Sequence, residues 1–401
     1  MFLTGTDEHG QKIQEAAQKK NISPQQLCDE TSKNFKSTWE ELNINHDIFF
    51  RTTDKFHVEA VQTALQKIYD QGDIFADTYE GWYCVSEEIY YTEKELINGK
   101  TPSGREVVRI QEKNYFFRMS KYREPLIQHI EQNPDFIQPE SRRNEVLGFL
   151  KKGLHDLSIS RPKSRLNWGV EIPFDRDHVT YVWFDALLNY ATGVGFLQPQ
   201  RTEEFNKWWI QAGAHHVIGK DMLTTHAVYW TNILMTLISS SPKKIFTTGW
   251  ILNKESEKMS KSKGDVIKPL DFKDIVGVDG LRYFLTRDIH LGNDAPISQE
   301  LIFNRLNAEL ANNLGNLLSR TTNLYTKYFD GKVLRSWHDD PSTKNLIAQF
   351  EATADKLYND ILKFAPSYAL GHIIDLLNLA NKYLEDKAPW KQAKESVTEA
   401  G

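Results

Sequence analysis

Short apolar segments alternate with helical segments along much of this chain, and that alternation constrains the fold more than any other feature. Strands are predicted at residues 2–6, 179–184, 216–219 and 244–248, and a helix is predicted to begin near Asp221. Strands that alternate with helices pair in parallel and form a doubly wound α/β sheet. Such sheets bind ligands beyond the carboxyl ends of their strands, so ligand-binding residues are expected there.

Two regions depart from this alternation, which divides the chain into five predicted segments. Residues 79–169 are rich in aromatic side chains, short strands and polar turns, so they are predicted to form an inserted domain. This insert separates two halves of the α/β domain, residues 1–78 and 170–248. In residues 298–401 apolar side chains recur every three or four positions, which is typical of an all-helical bundle. Residues 249–297 form the remaining segment and contain a lysine-rich loop.

Composition and charge narrow the possible classes of protein. The net charge of −5 argues against a binder that holds nucleic acid by overall charge, although residues 141–165 carry seven basic and two acidic side chains. That cluster fits either a solvated face or a contact with an RNA backbone. Two cysteines, Cys28 and Cys84, cannot build a disulfide framework, which fits a reducing cytoplasm. No apolar run reaches the roughly 18 residues of a membrane helix, and no signal peptide is expected.

The most specific motif is Lys258-Met259-Ser260-Lys261-Ser262, in which two lysines stand three residues apart. Two ammonium groups at this spacing on a short loop can hold phosphate oxygens. A generic run of lysine and serine is more often a solvated basic loop. This pentapeptide, however, resembles the signature loop of class I aminoacyl-tRNA synthetases. Its surroundings, from Gly249 to Gly264, resemble the methionyl-tRNA synthetase family in particular.

The resemblance implies a ligase that activates L-methionine with ATP and Mg²⁺, releases pyrophosphate, and transfers methionine to the 3′-terminal adenosine of tRNA(Met). Lys258 and Lys261 would be catalytic, because preorganised cations stabilise charge on the leaving phosphates. Lys261 is the stronger candidate for contact with the transition state. Residues 249–297 would contact the tRNA stem. The implied ATP-binding residues are Gly219, Lys258, Met259, Ser260, Lys261 and Ser262.

A second stretch of the same family is Thr4-Gly5-Thr6-Asp7-Glu8-His9-Gly10, at the end of the first predicted strand. On local sequence alone, Asp7 is more simply a cap for the following helix. The resemblance instead implies that Asp7 receives the amino group of methionine. No role is predicted for His9, which is interpreted as structural.

A third stretch, residues 181–190, contains Trp183, Ala186 and Tyr190 at spacings of three and four. An aromatic stripe at this spacing ordinarily indicates core packing, and a lone histidine such as His226 is usually structural. The resemblance implies that these residues line the pocket for the methionine side chain, together with Met222 and His226. Aromatic walls suit a thioether, since each sulfur–aromatic contact contributes about 0.3–1.5 kcal/mol.

In the helical region, Asn316 and Arg320 are i, i+4 neighbours, and Trp390 follows a proline. Without further information these residues are a surface polar pair and a packed aromatic side chain. The resemblance implies that all three recognise bases of the tRNA anticodon. Aromatic stacking contributes about 1–3 kcal/mol per base in single-stranded RNA.

The chain departs from the family in its inserted domain, where many members have a four-cysteine zinc knuckle. Cys84 is present, but Glu87 stands at the second ligand position, and the later pair falls near Thr101 and Gly104. One cysteine and one carboxylate do not make a tetrahedral zinc site. No structural zinc is therefore predicted, and other contacts are expected to hold the loop.

The sequence also lacks the His-Ile-Gly-His signature that the family places ahead of the strand ending in Thr-Gly-Thr-Asp. The sequence is therefore expected to be a piece of a longer synthetase, shortened at both ends, with negligible activity by itself. Two alternatives are a catalytically inactive RNA-binding protein and a class I ligase for another amino acid. The retained lysine loop argues against the first, and the Trp183–Tyr190 pattern argues against the second. A cytoplasmic location is expected, and no oligomeric state is predicted.

Overall fold

A computed structural model of the chain describes residues 1–86, 89–91, 93–238, 240–259, 268–332 and 340–395. The chain divides into two compact units, Met1–Thr247 and Thr248–Gly401. The predicted boundary between residues 248 and 249 lies one residue from this division. Among the described residues, no helix is long and apolar enough to cross a membrane.

The first unit combines parallel and antiparallel strands with eight α-helices among its described residues. Its strands are β1 (Leu3–Thr6), β2 (Ile48–Arg51), β3 (Ile74–Cys84), β4 (Ile89–Tyr91), β5 (Val108–Phe117), β6 (Ile137–Gln138), β7 (Leu157–Ser158), β8 (Ser160–Pro162), β9 (Glu171–Ile172), β10 (Asp175–Thr180), β11 (His215–Gly219) and β12 (Lys244–Thr248). Its helices are α1 (Gln11–Lys20), α2 (Pro24–Glu41), α3 (Lys55–Asp70), α4 (Arg123–Gln132), α5 (Glu140–Lys151), α6 (Val182–Thr192), α7 (Thr202–Phe205) and α8 (Thr231–Leu237).

Parallel pairing in the first unit confirms the predicted α/β class. Strand β1 pairs in parallel with β2, and β12 pairs in parallel with β6 and also borders β11. Strand β6 comes from the segment that was predicted to be wholly inserted. It is only two residues long, so no sequence periodicity could have indicated it.

The inserted segment is built on a long antiparallel hairpin. Strands β3 and β5 pair continuously from Ile74 opposite Phe117 to Tyr83 opposite Val108. With β4 and β7 they form a four-stranded sheet in the order β4-β3-β5-β7. The boundary predicted between residues 78 and 79 falls inside β3, because the same strand joins the core at one end and the insert at the other.

The core of the first unit forms where amphipathic helices bury their apolar faces. Helix α3 buries Ala60, Ala64 and Ile68 on one face together with Val61 and Leu65, as the i, i+4 spacing of these residues predicts. Each fully buried Leu or Ile side chain contributes about 1.5–3 kcal/mol relative to exposure. This packing gives the site described below a rigid support.

One predicted strand is wrong at its carboxyl end. Residues 179–184 were predicted to be a single strand, but β10 ends at Thr180 and α6 begins at Val182. A short run of β-branched and aromatic residues is ambiguous between a buried strand and a buried helix. The burial of Val182 and Phe184 in the core explains why this run carries no polar positions that would reveal a helix.

The second unit is mainly helical, which confirms the predicted helical carboxyl-terminal region. Two short strands, β13 (Ile251–Leu252) and β14 (Ala295–Pro296), pair in parallel near its beginning. Its helices are α9 (Pro269–Asp288), α10 (Gln299–Arg305), α11 (Asn316–Phe329), α12 (Pro341–Leu362), α13 (Pro366–Lys387) and α14 (Pro389–Glu395), with a π-helical segment Leu306–Gly315 between α10 and α11.

A buried carboxylate joins three helical segments of the second unit. Glu309 accepts hydrogen bonds from Tyr283 at 2.6 Å, Arg287 at 3.2 Å and Arg305 at 2.8 Å. Because its charge is balanced by two guanidinium groups, Glu309 can lie only 7% exposed. The cluster fixes the start of the bundle in place.

Candidate active site

The segment that follows β1 holds one exposed carboxylate, and the two residues after it are anchored. Asp7 is exposed, whereas the neighbouring Glu8 is 2% exposed. Glu8 accepts hydrogen bonds from Arg51 Nε at 2.8 Å and Nη2 at 3.0 Å, and its backbone N–H donates to Thr52 Oγ1 at 2.9 Å. The Glu8 carbonyl also accepts a hydrogen bond from Trp168 Nε1 at 2.6 Å. These anchors fix the backbone that carries Asp7.

His9, the second anchor, belongs to a buried histidine–carboxylate network. Its Nδ1 lies 2.6 Å from one Asp185 oxygen, and His57 Nε2 lies 2.9 Å from the other. Nδ1 of His57 lies 2.8 Å from Thr192 Oγ1. The network joins the segment after β1 to α3 and α6. The sequence offered no sign of it, because His9 and Asp185 are 176 residues apart.

The network contains a charge pair in the protein interior. Burial works against protonation of His9, but the Asp185 carboxylate outweighs burial and raises the pKa of this histidine. Burial likewise works against ionisation of Asp185, yet His9 and His57 together hold its pKa below the ordinary value. His9 therefore anchors the backbone two residues beyond Asp7.

A second hydrogen-bonded chain starts from the same helix, α6. Nδ1 of His226 lies 2.9 Å from the Met222 carbonyl, so this nitrogen carries the proton and donates. Nε2 of His226 is consequently an acceptor, and the Tyr190 hydroxyl donates to it at 2.8 Å. Met222 ends a 3₁₀ turn, Lys220–Met222, and His226 lies in a π-helical segment, Thr225–Trp230. Tyr190 and His226, 36 residues apart in the sequence, thus form one wall.

The wall formed by Tyr190 and His226 is electrically neutral at pH 7. Burial lowers the pKa of His226 to about 4. Burial and the negative charge of Asp7 together raise the pKa of Tyr190 to about 12. His9, two residues after Asp7, is bonded to Asp185 of α6, and the same helix carries Tyr190, so one helix supports both the exposed carboxylate and the neutral wall. This arrangement suits a ligand with one cationic group and an uncharged remainder.

The other predicted pocket residues pack around the same core. Ala186 is 5% exposed on α6, while Trp183 and Met222 are half-buried and pack against the core that contains α6 and the His226 segment. Gly219, at the end of β11, has an extended backbone with φ of −72°. A Cβ at this position would come within 2.7 Å of the Asp221 carboxylate oxygen, so glycine leaves room there for the Asp221 side chain.

A cavity of about 210 Å³ lies against the segment after β1, and both Asp7 and Glu8 line it. The Cys28 thiol lines it and lies 3.4 Å from the Glu8 carbonyl oxygen. Burial, followed by the nearby Glu8 charge, raises the pKa of Cys28 to about 12, so the thiol is protonated and unreactive. The sequence analysis missed this cavity because its lining residues come from separate segments.

The lysine segment lies in the second unit and is described only as far as Met259. The Lys258 ammonium lies 4.0 Å from the ring centroid of Trp250. Met259 is half-buried. Three predicted residues, Ser260, Lys261 and Ser262, lie outside the described residues.

The three residues predicted to recognise RNA lie close together in the second unit. Asn316 and Arg320 line a groove of about 480 Å³ between the Leu306–Gly315 segment, α11 and α13. The Arg320 guanidinium lies 3.6 Å from Glu385 and 5.4 Å from the ring centroid of Trp390. Further amides of this groove come from Asn313 and Asn381, whose side chains are hydrogen-bonded at 2.7 Å. Neither amide was predicted from the sequence.

Hydrogen bonds hold the two parts of the inserted segment, around Cys84 and Thr101, where no structural zinc is predicted. Thr101 Oγ1 lies 2.9 Å from Ser103 Oγ and accepts the backbone N–H of Arg105 at 3.1 Å. The Cys84 thiol is buried and lies 3.2 Å from Ser86 Oγ. Glu87 lies outside the described residues. Among the residues that are described, no three His, Cys, Asp or Glu side chains are grouped to hold a metal ion.

Comparison with known proteins assigns the family. The family model described as tRNA synthetases class I (M) matches residues 1–109 and 102–322. The chain belongs to the class I tRNA synthetases. It is 46% identical to the methionine–tRNA ligase of Caldanaerobacter subterraneus over 98% of this chain, and 46% identical to that of Clostridium acetobutylicum over 100% of it. The chain spans 61% of the length of each of these two relatives.

Solved structures of this synthetase family have the same fold. The Mycobacterium tuberculosis methionyl-tRNA synthetase bound by methionyl-adenylate is 40% identical and aligns with a TM-score of 0.92 over 99% of this chain and 79% of that one. The free form of the same enzyme aligns with a TM-score of 0.82 at 38% identity, over 93% of this chain and 74% of that chain. These alignments support the Rossmann-like assignment of the first unit.

Proposed function

We propose that this class I synthetase chain is the part of a methionine–tRNA ligase that binds methionine, ATP and the tRNA anticodon. The observation that carries the proposal is that one helix, α6, supports both the exposed carboxylate of Asp7, through the His9–Asp185 contact, and the neutral wall formed by Tyr190 and His226. A methionine zwitterion presents an ammonium group and an uncharged thioether. The ammonium group matches the Asp7 carboxylate, and the thioether matches an aromatic wall.

In this proposal Asp7 holds the ammonium group, and the side chain is enclosed by Trp183, Ala186, Tyr190, Met222 and His226. An apolar pocket discriminates by only about 1–3 kcal/mol per methylene, so several walls are needed to reject leucine or valine. The neutral state of His226 matters, because a charged imidazole would repel the ammonium group and would prefer water to a thioether.

The proposed reaction begins with attack of the methionine carboxylate on the α-phosphorus of ATP. The bond to the β-phosphate oxygen breaks, pyrophosphate leaves, and methionyl-adenylate forms. Lys258 and Lys261 are proposed to stabilise the negative charge that grows on the leaving phosphates. Magnesium would enter with those phosphates. Among the described residues, no three His, Cys, Asp or Glu side chains are grouped so that they could hold a metal ion.

The proposed partner is tRNA(Met). Asn316 and Arg320 present amide and guanidinium donors in one groove, which suits the polar edges of unstacked bases. Trp390 offers an aromatic face for stacking. In the second step, a ribose hydroxyl of the terminal adenosine attacks the carbonyl carbon of the adenylate, and AMP is released. A cytoplasmic site of action is part of the same proposal.

The experiment that tests the proposal is methionine-dependent exchange between ATP and labelled pyrophosphate. The 401 residues lack a His-Ile-Gly-His signature, so they are expected to bind methionine but to exchange slowly. The same chain joined to a segment that carries this signature is expected to exchange rapidly with methionine and not with leucine. Binding of tRNA(Met) without methionine binding would instead favour a catalytically inactive RNA-binding protein.

A further inference from the structure

The backbone around Lys258 is fixed by a tight hairpin. The Asn253 N–H donates to the Glu257 carbonyl at 2.9 Å, and the Glu257 N–H donates to Asn253 Oδ1 at 2.8 Å. Lys258 then pairs with Leu252 across the hairpin in an antiparallel bridge. Asn253 is 9% exposed, so its own backbone N–H and side-chain oxygen are largely shielded from competing water. The backbone of the first signature lysine is therefore held in one position.

Trp250, on the opposite arm of the hairpin, is fixed just as firmly. Its backbone N–H donates to Asp294 Oδ1 at 2.9 Å, and its carbonyl accepts the Ala295 N–H at 3.0 Å. These bonds continue the pairing of β13 with β14. These bonds fix the backbone that carries the indole, and the exposed Lys258 ammonium lies 4.0 Å from the centroid of its ring.

We propose that Trp250 is a positioning residue that holds the Lys258 ammonium ready for the phosphates of ATP. A free lysine side chain loses much rotamer freedom when it binds a ligand, and contact with the ring removes part of that freedom beforehand. An ammonium group has three donors, and a ring contact occupies one side of it, which leaves N–H groups for phosphate oxygens. The inference rests on the proposed phosphate-binding role of Lys258 but does not require methionine specificity.

The test is a double-mutant cycle read out by binding of inorganic pyrophosphate to the full chain. Lys258→Ala is expected to weaken binding roughly tenfold or more, as loss of a charge-assisted contact does. Trp250→Leu is expected to weaken it roughly two- to five-fold, and Trp250→Phe should restore part of the loss because the ring face remains. Lys254→Ala is the matched control, since Lys254 is an exposed lysine of the same hairpin that pairs with Glu255.

The decisive comparison is Trp250→Leu in the Lys258→Ala background. If Trp250 acts through Lys258, the second substitution has no further effect on pyrophosphate affinity, and methionine affinity is unchanged throughout. An undiminished effect in that background overturns the inference, as does a loss shared equally with methionine binding. Absence of pyrophosphate binding by the unsubstituted chain also overturns it. Pyrophosphate binding with the expected cycle but no adenylate formation leaves the inference standing and refutes only the ligase proposal.

Discussion

The candidate methionine site of the first unit and the polar groove of the second differ in how they hold their side chains. The methionine site is supported by the network of Asp185 and His57, which are fully buried, and each link of that network is a short hydrogen bond. In the second, Arg320 and Glu385 are 36% and 66% exposed and lie 3.6 Å apart. A small ligand is recognised by a rigid, mostly neutral pocket, whereas an exposed charged groove can adapt to RNA. Salt should therefore weaken the second interaction far more than the first.

The largest expected effect is that of removing the buried carboxylate. Asp185→Ala leaves His9 and His57 without their shared partner, and breaking a buried pair costs about 3–5 kcal/mol. The free energy of unfolding of the first unit, measured in urea, gives this cost. Asp29→Ala is the control, because Asp29 is 54% exposed and its pair with Arg51 should contribute less than about 1 kcal/mol. Equal costs for the two substitutions would contradict the structural role of the network.

The pH dependence of stability tests the neutral wall. The pKa of His226 is about 4 when folded and near the ordinary histidine value of 6.5 when unfolded, so the unfolded chain binds the extra proton between these values. Stability must therefore fall as the pH drops from 6.5 towards 4, by on the order of 2–3 kcal/mol from this residue. His226→Gln should remove that part of the slope.

Other histidines contribute to the same curve and set its control. His216 is also held neutral by burial, so its slope has the same sign and remains in the His226→Gln variant. His9 has a raised pKa and acts in the opposite sense, because its stabilisation is lost as the pH rises through its folded pKa. Identical slopes for the parent chain and the variant would show that His226 is not held neutral by the fold.

Removing one hydroxyl from the neutral wall should have a smaller effect. Tyr190→Phe leaves Nε2 of His226 as a buried acceptor without its donor, which costs about 1–3 kcal/mol. Thermal unfolding of the first unit measures the change. Tyr358→Phe, at a residue 66% exposed in α12, is the control and should change stability by less than about 0.5 kcal/mol.

How much of this could be predicted from the sequence depended on the distance between the residues involved. Local signals succeeded: the strand predicted at residues 244–248 is β12, with the same bounds. Contacts between distant residues left no local trace, as with His9 and Asp185. The strand predicted at residues 179–184 was wrong from Val182 onward, where α6 begins. The family resemblance supplied candidate site residues that periodicity alone would have assigned to the core.

The last expected effect concerns RNA binding by the groove in the second unit. Trp390→Ala should weaken binding of an anticodon stem-loop by about 1–3 kcal/mol while changing the stability of the chain little, because Trp390 is only half-buried. The loss of affinity caused by Trp390→Ala should persist at high salt, since stacking is not ionic. Arg320→Ala should instead lose most of its effect above about 0.5 M salt. Equal salt dependence for both variants would contradict the separate roles proposed for the ring and the guanidinium.

The most direct test of the central claim is calorimetric binding of methionine and of 4-(methylthio)butanoate, which lacks only the ammonium group. The chain is predicted to bind methionine at least about tenfold more tightly than the deaminated analogue, since a charge-assisted contact contributes about 1.5–3 kcal/mol. Asp7→Asn is predicted to abolish that preference while the affinity for the analogue stays the same. Equal affinity of the unsubstituted chain for the two compounds, or a preference that survives Asp7→Asn, would contradict the assignment of Asp7 as the ammonium-binding group.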